Sequence, residues 1–353
     1  MRVISIVGAR PQFVKLAPMA EVFNEAGVEH VIVHTGQHYD SRMSDVFFAD
    51  LQIPQPDVHL GVGSGSHGTQ TGAMLAALDS VLDEHDSDWV LVYGDTNSTL
   101  AGALSAVKMH RRIAHLEAGL RSFNRLMPEE HNRVLTDHAA DLLLAPTQVA
   151  MDHLAVEGLA DRSVLVGDVM TDVCFRVRDA VLASPPALPD GVDPERGYLV
   201  STIHRAENTD HPDRLAAIVA ALQSLPLPTL LLAHPRLVAR CAEYGIALDG
   251  GDLVVAAPLP YPDMVAAVAR SAGVVTDSGG LQKEAFLLRV PCTTLRTETE
   301  WVETLNDGWN LLDPHLTTVR EMAVRDVPLA EQSHPYGDGH AAVRVLQTLR
   351  DRM

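Results

Sequence analysis

Apolar residues along this chain fall into short runs, separated by longer stretches with helical spacing. Residues 3–7 form a β-branched run that stops at Gly8, and residues 13–23 follow with apolar positions at helical intervals. Gly27 is placed to cap that helix. Residues 29–34 read as the next strand, ended by Gly36, and further apolar runs occupy 89–93, 113–116, 142–145 and 164–166. Short buried strands alternating with helices predict βαβ units and a parallel sheet covered on both faces.

The alternation breaks at Ser184-Pro185-Pro186-Ala187-Leu188-Pro189-Asp190-Gly191, which can continue neither a helix nor a central strand. It then restarts with runs at 198–203, 229–233, 253–256, 273–276 and 291–295. The expected fold class is α/β, with two doubly wound, Rossmann-like domains at 1–168 and 197–337, joined by a linker helix and loop over 169–196. Ligands of such sheets bind beyond the carboxyl ends of the strands, so the informative residues should lie just after these runs.

Composition narrows the choice of ligand. At 353 residues the chain exceeds a usual single domain, in keeping with two. Lys plus Arg number 27 against 46 Asp plus Glu, a formal charge of -19. That balance argues against nucleic acid, whose binders need a basic face, and against an anionic membrane surface. A small anionic substrate stays compatible, because a few cations can gather in one cleft. Cys174, Cys241 and Cys292 are far apart and odd in number, so neither a disulfide framework nor a zinc knuckle follows. The first apolar run is too short for a signal peptide, and no stretch reaches the roughly 18 apolar residues of a membrane span. A soluble, cytoplasmic protein is expected.

The candidate chemistry does follow the strands. Gly8-Ala9-Arg10-Pro11 opens a helix with Arg10 and Lys15 near its N-terminus, where the dipole already favours anions. Gly94-Asp95-Thr96 follows the run at 89–93, and there Asp95 is either an N-cap or a functional acid. Glu117 follows the run at 113–116, and Pro128-Glu129-Glu130 opens a helix, one of the two acids serving only the dipole. Asp95, Glu117 and Glu129 converge on one sheet edge, where crowded carboxylates suit paired proton transfers. In the second half His204-Arg205 reads as phosphate binding, as does Ser278 with Gly279 and Gly280, whose backbone N–H groups open a helix. Glu284, about a turn further on, could accept two sugar hydroxyls. The glycines of 61–68 read as a surface loop that no strand and helix frame. His30, His34 and His38 have even spacing, but Gly36 interrupts it and no metal motif is present, so no metal is expected there.

Taken together, Gly8-Ala9-Arg10-Pro11, Gly94-Asp95-Thr96, His115-Leu116-Glu117-Ala118-Gly119-Leu120-Arg121, Pro128-Glu129-Glu130, Asp277-Ser278-Gly279-Gly280 and Pro335-Tyr336-Gly337-Asp338-Gly339 resemble the non-hydrolysing UDP-N-acetylglucosamine 2-epimerases. The resemblance spans essentially the whole chain. It implies a glycosyltransferase-B-type fold with a deep cleft between the domains, and reversible conversion of UDP-GlcNAc to UDP-ManNAc. The implied route is elimination of UDP to 2-acetamidoglucal and re-addition from the other face. It further implies Asp95, Glu117, Glu129 and His204 as catalytic residues, and Arg10, Lys15, Arg205, Ser278, Gly279, Gly280 and Glu284 as substrate ligands. A homodimer is implied, as is a C-terminal helix, 338–353, that packs back on the first domain.

Three departures qualify the resemblance. Trp301-Val302 stands where better-known members have Arg-Pro, a form resembling the branch that acts on UDP-2,3-diacetamido-glucuronic acid. The sugar substituents at C3 and C6 are therefore open. Met264 falls where many members place an aromatic beside uracil. Gln37 and His38 match an effector region, but Ala73 replaces its arginine. The rival readings are a hydrolysing epimerase, a glycosyltransferase needing an acceptor, and a nucleotide-sugar sensor without turnover.

Overall fold

The computed structural model describes residues 1–37, 53–183, 188–329 and 333–353, apart from the side chain of Arg10. The chain forms two compact units, residues 1–173 with 334–353, and residues 174–333.

The first unit holds a parallel sheet of β1 (Arg2–Val7), β2 (Glu29–His34), β3 (Val58–His59), β4 (Trp89–Tyr93), β5 (Ile113–Leu116), β6 (Leu142–Ala145) and β7 (Ser163–Leu165). Their order is β3-β2-β1-β4-β5-β6-β7, so the winding reverses between β1 and β4. All five residues of β4 are buried, as expected of a strand with helices on both faces. The second unit repeats the plan with β8 (Leu199–Thr202), β9 (Thr229–Leu232), β10 (Leu253–Ala256), β11 (Gly273–Thr276), β12 (Cys292–Thr294) and β13 (Asn310–Leu312). Its order, β10-β9-β8-β11-β12-β13, reverses between β8 and β11. Leu199 and Val200 join cores on opposite faces, the period-two alternation of a doubly covered sheet. The expected α/β class with two doubly wound units is what the chain adopts.

Differences from the sequence reading have short causes. β3, two residues long, is too brief for a periodic signal, and β13 lies outside the apolar runs read from the sequence. The glycines of 61–68 are in fact framed, with β3 on one side and the helix His67–Glu84 on the other, capped by Ser66 through the Thr69 N–H. The return to the first unit begins at His334, where the Asp168 N–H donates to the Tyr336 carbonyl at 2.9 Å. The helix Ala341–Asp351 then docks on this unit, with the Trp89 indole donating to the Leu349 carbonyl at 3.1 Å. Among the described residues, no helix is long and apolar enough to cross a membrane. All three cysteines are buried and outside any disulfide, and burial pushes Cys292 up to about 12.

Two histidines of β2 make a testable contribution. His30 is held against the Ser5 hydroxyl at 2.8 Å, and the Gly36 N–H donates to His34 Nδ1, as a neutral ring allows. Burial lowers both to about 4, with His59 adding to the effect at His34. Because the unfolded chain takes up protons on these rings first, stability present above pH 6.5 is lost as the pH falls toward 4. The linkage limit is about 3 kcal/mol per ring. Thermal denaturation across that window should show a falling midpoint, and His34→Gln should flatten the slope.

Candidate active site

In an open parallel sheet, the crevice at the reversal of strand order is where side chains from neighbouring loops meet. Gly8 follows β1 and Gly94 follows β4, so both lie at the reversal of the first unit. A methyl group at Gly8 would overlap the hydroxyls of Thr35 and Ser98, which excludes any larger residue. The buried Gln12 ties the two loops together. Its Oε1 accepts the N–H groups of Gly8 and Ala9 at 2.8 and 3.0 Å, while its Nε2 donates to the Tyr93 carbonyl at 2.9 Å.

Lys15 comes from the helix Arg10–Glu25 and is ion-paired with Glu117, and both side chains are largely buried. Gly94 has φ +61°, and a Cβ there would stand 3.0 Å from Lys15 Nζ and 3.2 Å from Glu117 Oε2. Glycine thus supplies both the left-handed turn and the space for the pair. Glu117 itself has φ +71°, uncommon for a residue with a side chain. The Leu144 carbonyl fixes it by accepting the N–H groups of Glu117 and Ala118 at 3.1 and 3.2 Å.

Asp95 is not the cap of the next helix. Thr96 is, through the Thr99 N–H. The Asp95 carboxylate instead pairs with Arg133 at 2.6 Å, and its carbonyl accepts from Asn132 at 2.9 Å. Arg133 and Asn132 belong to the helix Pro128–Ala139, whose first turn also carries Glu129 and Glu130. The structure separates these two acids. Glu130 accepts the Ser122 and Phe123 N–H groups at 2.9 and 2.8 Å and pairs with Arg133 at 2.9 Å. Burial alone would raise its pKa, but these donors hold it below the ordinary range. Glu129 is half-buried and has no ion pair with a described residue. The structure therefore brings Lys15, Asp95 and Glu117 to one edge and attaches Asp95 to the helix that carries Glu129.

Arg10 is the first residue of its helix, and His38 lies outside the described residues. Gln37 accepts from the Ser98 N–H and hydroxyl at 3.0 and 2.7 Å. Ala73 is exposed on the helix His67–Glu84.

In the second unit, His204 follows β8 and Asp277 follows β11, again at the reversal of strand order. Asp277 is fully buried and organises the loop opposite. It accepts the His204 and Arg205 N–H groups at 3.1 and 3.0 Å and the Asn208 amide at 3.1 Å, and its Oδ1 lies 3.3 Å from His204 Nδ1. The Arg205 guanidinium donates to the Asp277 carbonyl at 3.0 Å. Ser278 caps the helix Gly279–Leu287 through the Leu281 N–H at 3.3 Å. Gly279 is required, since a Cβ would overlap the Glu300 carboxylate. Glu300 also faces Arg296 at 3.0 Å and Arg205 at 3.7 Å. Burial opposes its charge, but Arg296 and Arg205 keep its pKa below the ordinary range. Glu284 sits in the second turn of the helix, mostly buried. Lys283 places its ammonium 3.9 Å from the centre of the Trp301 ring, so the departure at Trp301 packs beside the Gly-rich turn. An N-terminal helix turn with Arg205 and His204 beside it is suited to a phosphate group.

Sequence reasoning assigned no role to Arg133, Asp137 or Asp277, although each holds a candidate residue or its loop. The one available signal was spacing, since Glu129, Arg133 and Asp137 recur every four residues on one helix face.

Two Rossmann-like units, one presenting paired carboxylates and the other a Gly-rich turn at a helix start, define a nucleotide-sugar protein of glycosyltransferase-B type. Residues 20–350 match the family model described as UDP-N-acetylglucosamine 2-epimerase, and the chain belongs to that family. It is 43% identical to the UDP-2,3-diacetamido-2,3-dideoxy-D-glucuronate 2-epimerase of Pseudomonas aeruginosa, over 99% of both chains. It is 42% identical to a UDP-N-acetylglucosamine 2-epimerase homolog of Methanococcus maripaludis, over 99% of this chain and 100% of the relative. Among solved structures, it resembles the Methanocaldococcus jannaschii UDP-GlcNAc 2-epimerase in complex with UDP-GlcNAc and UDP. That match has a TM-score of 0.86 and 34% identity, and covers 99% of this chain and 100% of the other.

Proposed function

We propose that this protein interconverts UDP-GlcNAc and UDP-ManNAc by eliminating and re-adding UDP. The observation that carries the reading is the edge of the first unit, where Glu117 pairs with Lys15 and Asp95 with Arg133. The C2 proton of such a sugar is not acidic, so direct inversion would need a very strong base. In elimination, a carboxylate takes that proton while the C1–O bond breaks, its electron pair leaving with UDP, and 2-acetamidoglucal remains. Re-addition forms the C1–O bond again and returns a proton to C2 from the opposite face. Asp95, Glu117 and Glu129 are assigned to these proton transfers, with His204 as the fourth catalytic residue. Arg10, Lys15, Arg205 and the Ser278-Gly279-Gly280 turn stabilise the departing diphosphate, and Glu284 holds the ribose. No metal or cofactor enters this scheme.

Incubation with UDP-GlcNAc in D2O is expected to place deuterium at C2 of the recovered UDP-sugar. Active turnover without that label would overturn the elimination route, and release of free ManNAc with UDP would mark a hydrolysing enzyme.

A second reading, C2 epimerisation of UDP-2,3-diacetamido-2,3-dideoxy-glucuronic acid, is favoured by Trp301-Val302 and the Pseudomonas relative. Comparing kcat/KM for both sugars separates the two. We assign the protein to the cytoplasm on its few, unpatterned cysteines, and to a homodimer on the family resemblance; light scattering tests the assembly.

A further inference from the structure

Behind the candidate edge of the first unit lies a buried polar network that the proposed chemistry does not use. His115, the third residue of β5, has no exposed surface, and each of its ring nitrogens faces an acceptor. Nε2 is 2.7 Å from the Gly94 carbonyl, and Nδ1 is 2.6 Å from the Asp137 carboxylate. A carbonyl oxygen can only accept, so Nε2 carries a hydrogen and donates it. Asp137, equally buried, also accepts the Gly119 N–H at 3.1 Å and pairs with Arg121 at 2.8 Å. Arg121 is paired in turn with Glu157 at 2.8 Å.

The network bears on two peptide units next to candidate acids. Gly94 directly precedes Asp95 and is held at both its polar groups by the end of β5. Its N–H donates to the Leu116 carbonyl at 3.0 Å, and its carbonyl accepts from His115. Its left-handed conformation makes the direction of Asp95 sensitive to the rotation of that peptide. Glu117, also left-handed, lies between His115 and Gly119, and Asp137 holds elements on both sides of it. Asp137 shares the helix of Arg133, so one helix grips Asp95 directly and Gly94 through His115.

We propose that His115 is a positioning residue, whose Nε2–H grips the Gly94 carbonyl and thereby sets the placement of Asp95 for proton transfer. Asp137 orients the imidazole for that grip. The inference rests on the epimerase reading and concerns how its acid/base groups are aimed.

Two amide substitutions divide the functions of the ring. In His115→Asn the amide replaces Nδ1, keeping a donor toward Asp137 and losing the one toward Gly94. In His115→Gln it reaches the Nε2 position and keeps the donor toward Gly94. With wild-type enzyme and its preferred UDP-sugar, His115→Asn is expected to lower kcat by about 10- to 100-fold with KM changed less than about threefold. His115→Gln should restore kcat to within about fivefold of wild type. Equal losses in the two variants, tracking their loss of thermal stability, would make the contact merely structural and overturn the proposal. So would normal kcat in His115→Asn. Should His115→Asn not fold, a loss beyond about tenfold in folded His115→Gln still overturns it. Wild type inactive on every UDP-sugar would instead overturn the epimerase reading, a result that the variants cannot mimic.

Discussion

Glu117→Gln is expected to lower epimerisation by about 10²–10⁴, the usual contribution of a general acid–base group. The substitution keeps the shape of the side chain but removes its capacity to exchange a proton at the reacting carbon. Substrate affinity should change far less, because the Gly-rich turn and Arg205 of the second unit are untouched. The backbone should hold as well, since the Leu144 carbonyl accepts two successive N–H groups at this turn whatever the side chain. Lys15 would lose its carboxylate partner, and breaking a buried pair costs up to about 3–5 kcal/mol, so thermal unfolding should be measured alongside. Stopped deuterium incorporation at C2 in a folded variant would place Glu117 in the proton transfer. A normal rate would remove it from the set.

The second large effect separates two neighbours. Glu129→Gln is expected to cost about 10²–10⁴ in turnover with thermal stability unchanged, because Glu129 has no ion pair to a described residue. Glu130→Gln should do the reverse. It weakens the acceptor of the Ser122 and Phe123 N–H groups and of Arg133, a loss of about 1–3 kcal/mol. Its midpoint should fall by several degrees, with a smaller loss of rate transmitted through Arg133 to Asp95. Kinetics and calorimetry on the two variants check both halves. A stability loss in Glu129→Gln, or an unchanged midpoint in Glu130→Gln, would show the division drawn from the hydrogen bonds to be wrong.

Much of this architecture is legible in the chain because local rules suffice for it. Apolar runs closed directly by Gly8 and Gly94 mark β1 and β4, and helical spacing after them leaves only a parallel, doubly covered sheet. Since residues just past such strands lie at the carboxyl edge in any open α/β sheet, the positions of Lys15, Asp95, Glu117, His204 and Ser278 followed from order along the chain. β3 escaped because two residues carry no period, and with it the frame of the 61–68 loop.

Partnership is another matter. Lys15 and Glu117 are 102 residues apart, His204 and Asp277 are 73 apart, and no local pattern connects either pair. Which of the two acids holds the turn was equally hidden, since Glu129 and Glu130 are chemically alike and adjacent. Only the packing of the helix Pro128–Ala139 against the loop at 122–123 turns Glu130 inward and leaves Glu129 half-buried, with no ion pair to a described residue. Order along the chain is enough to say which residues reach the strand ends, because strand direction and period are properties of neighbouring residues. Which of them are paired or buried follows from the assembled fold, because charges separated along the chain meet only when the sheet forms.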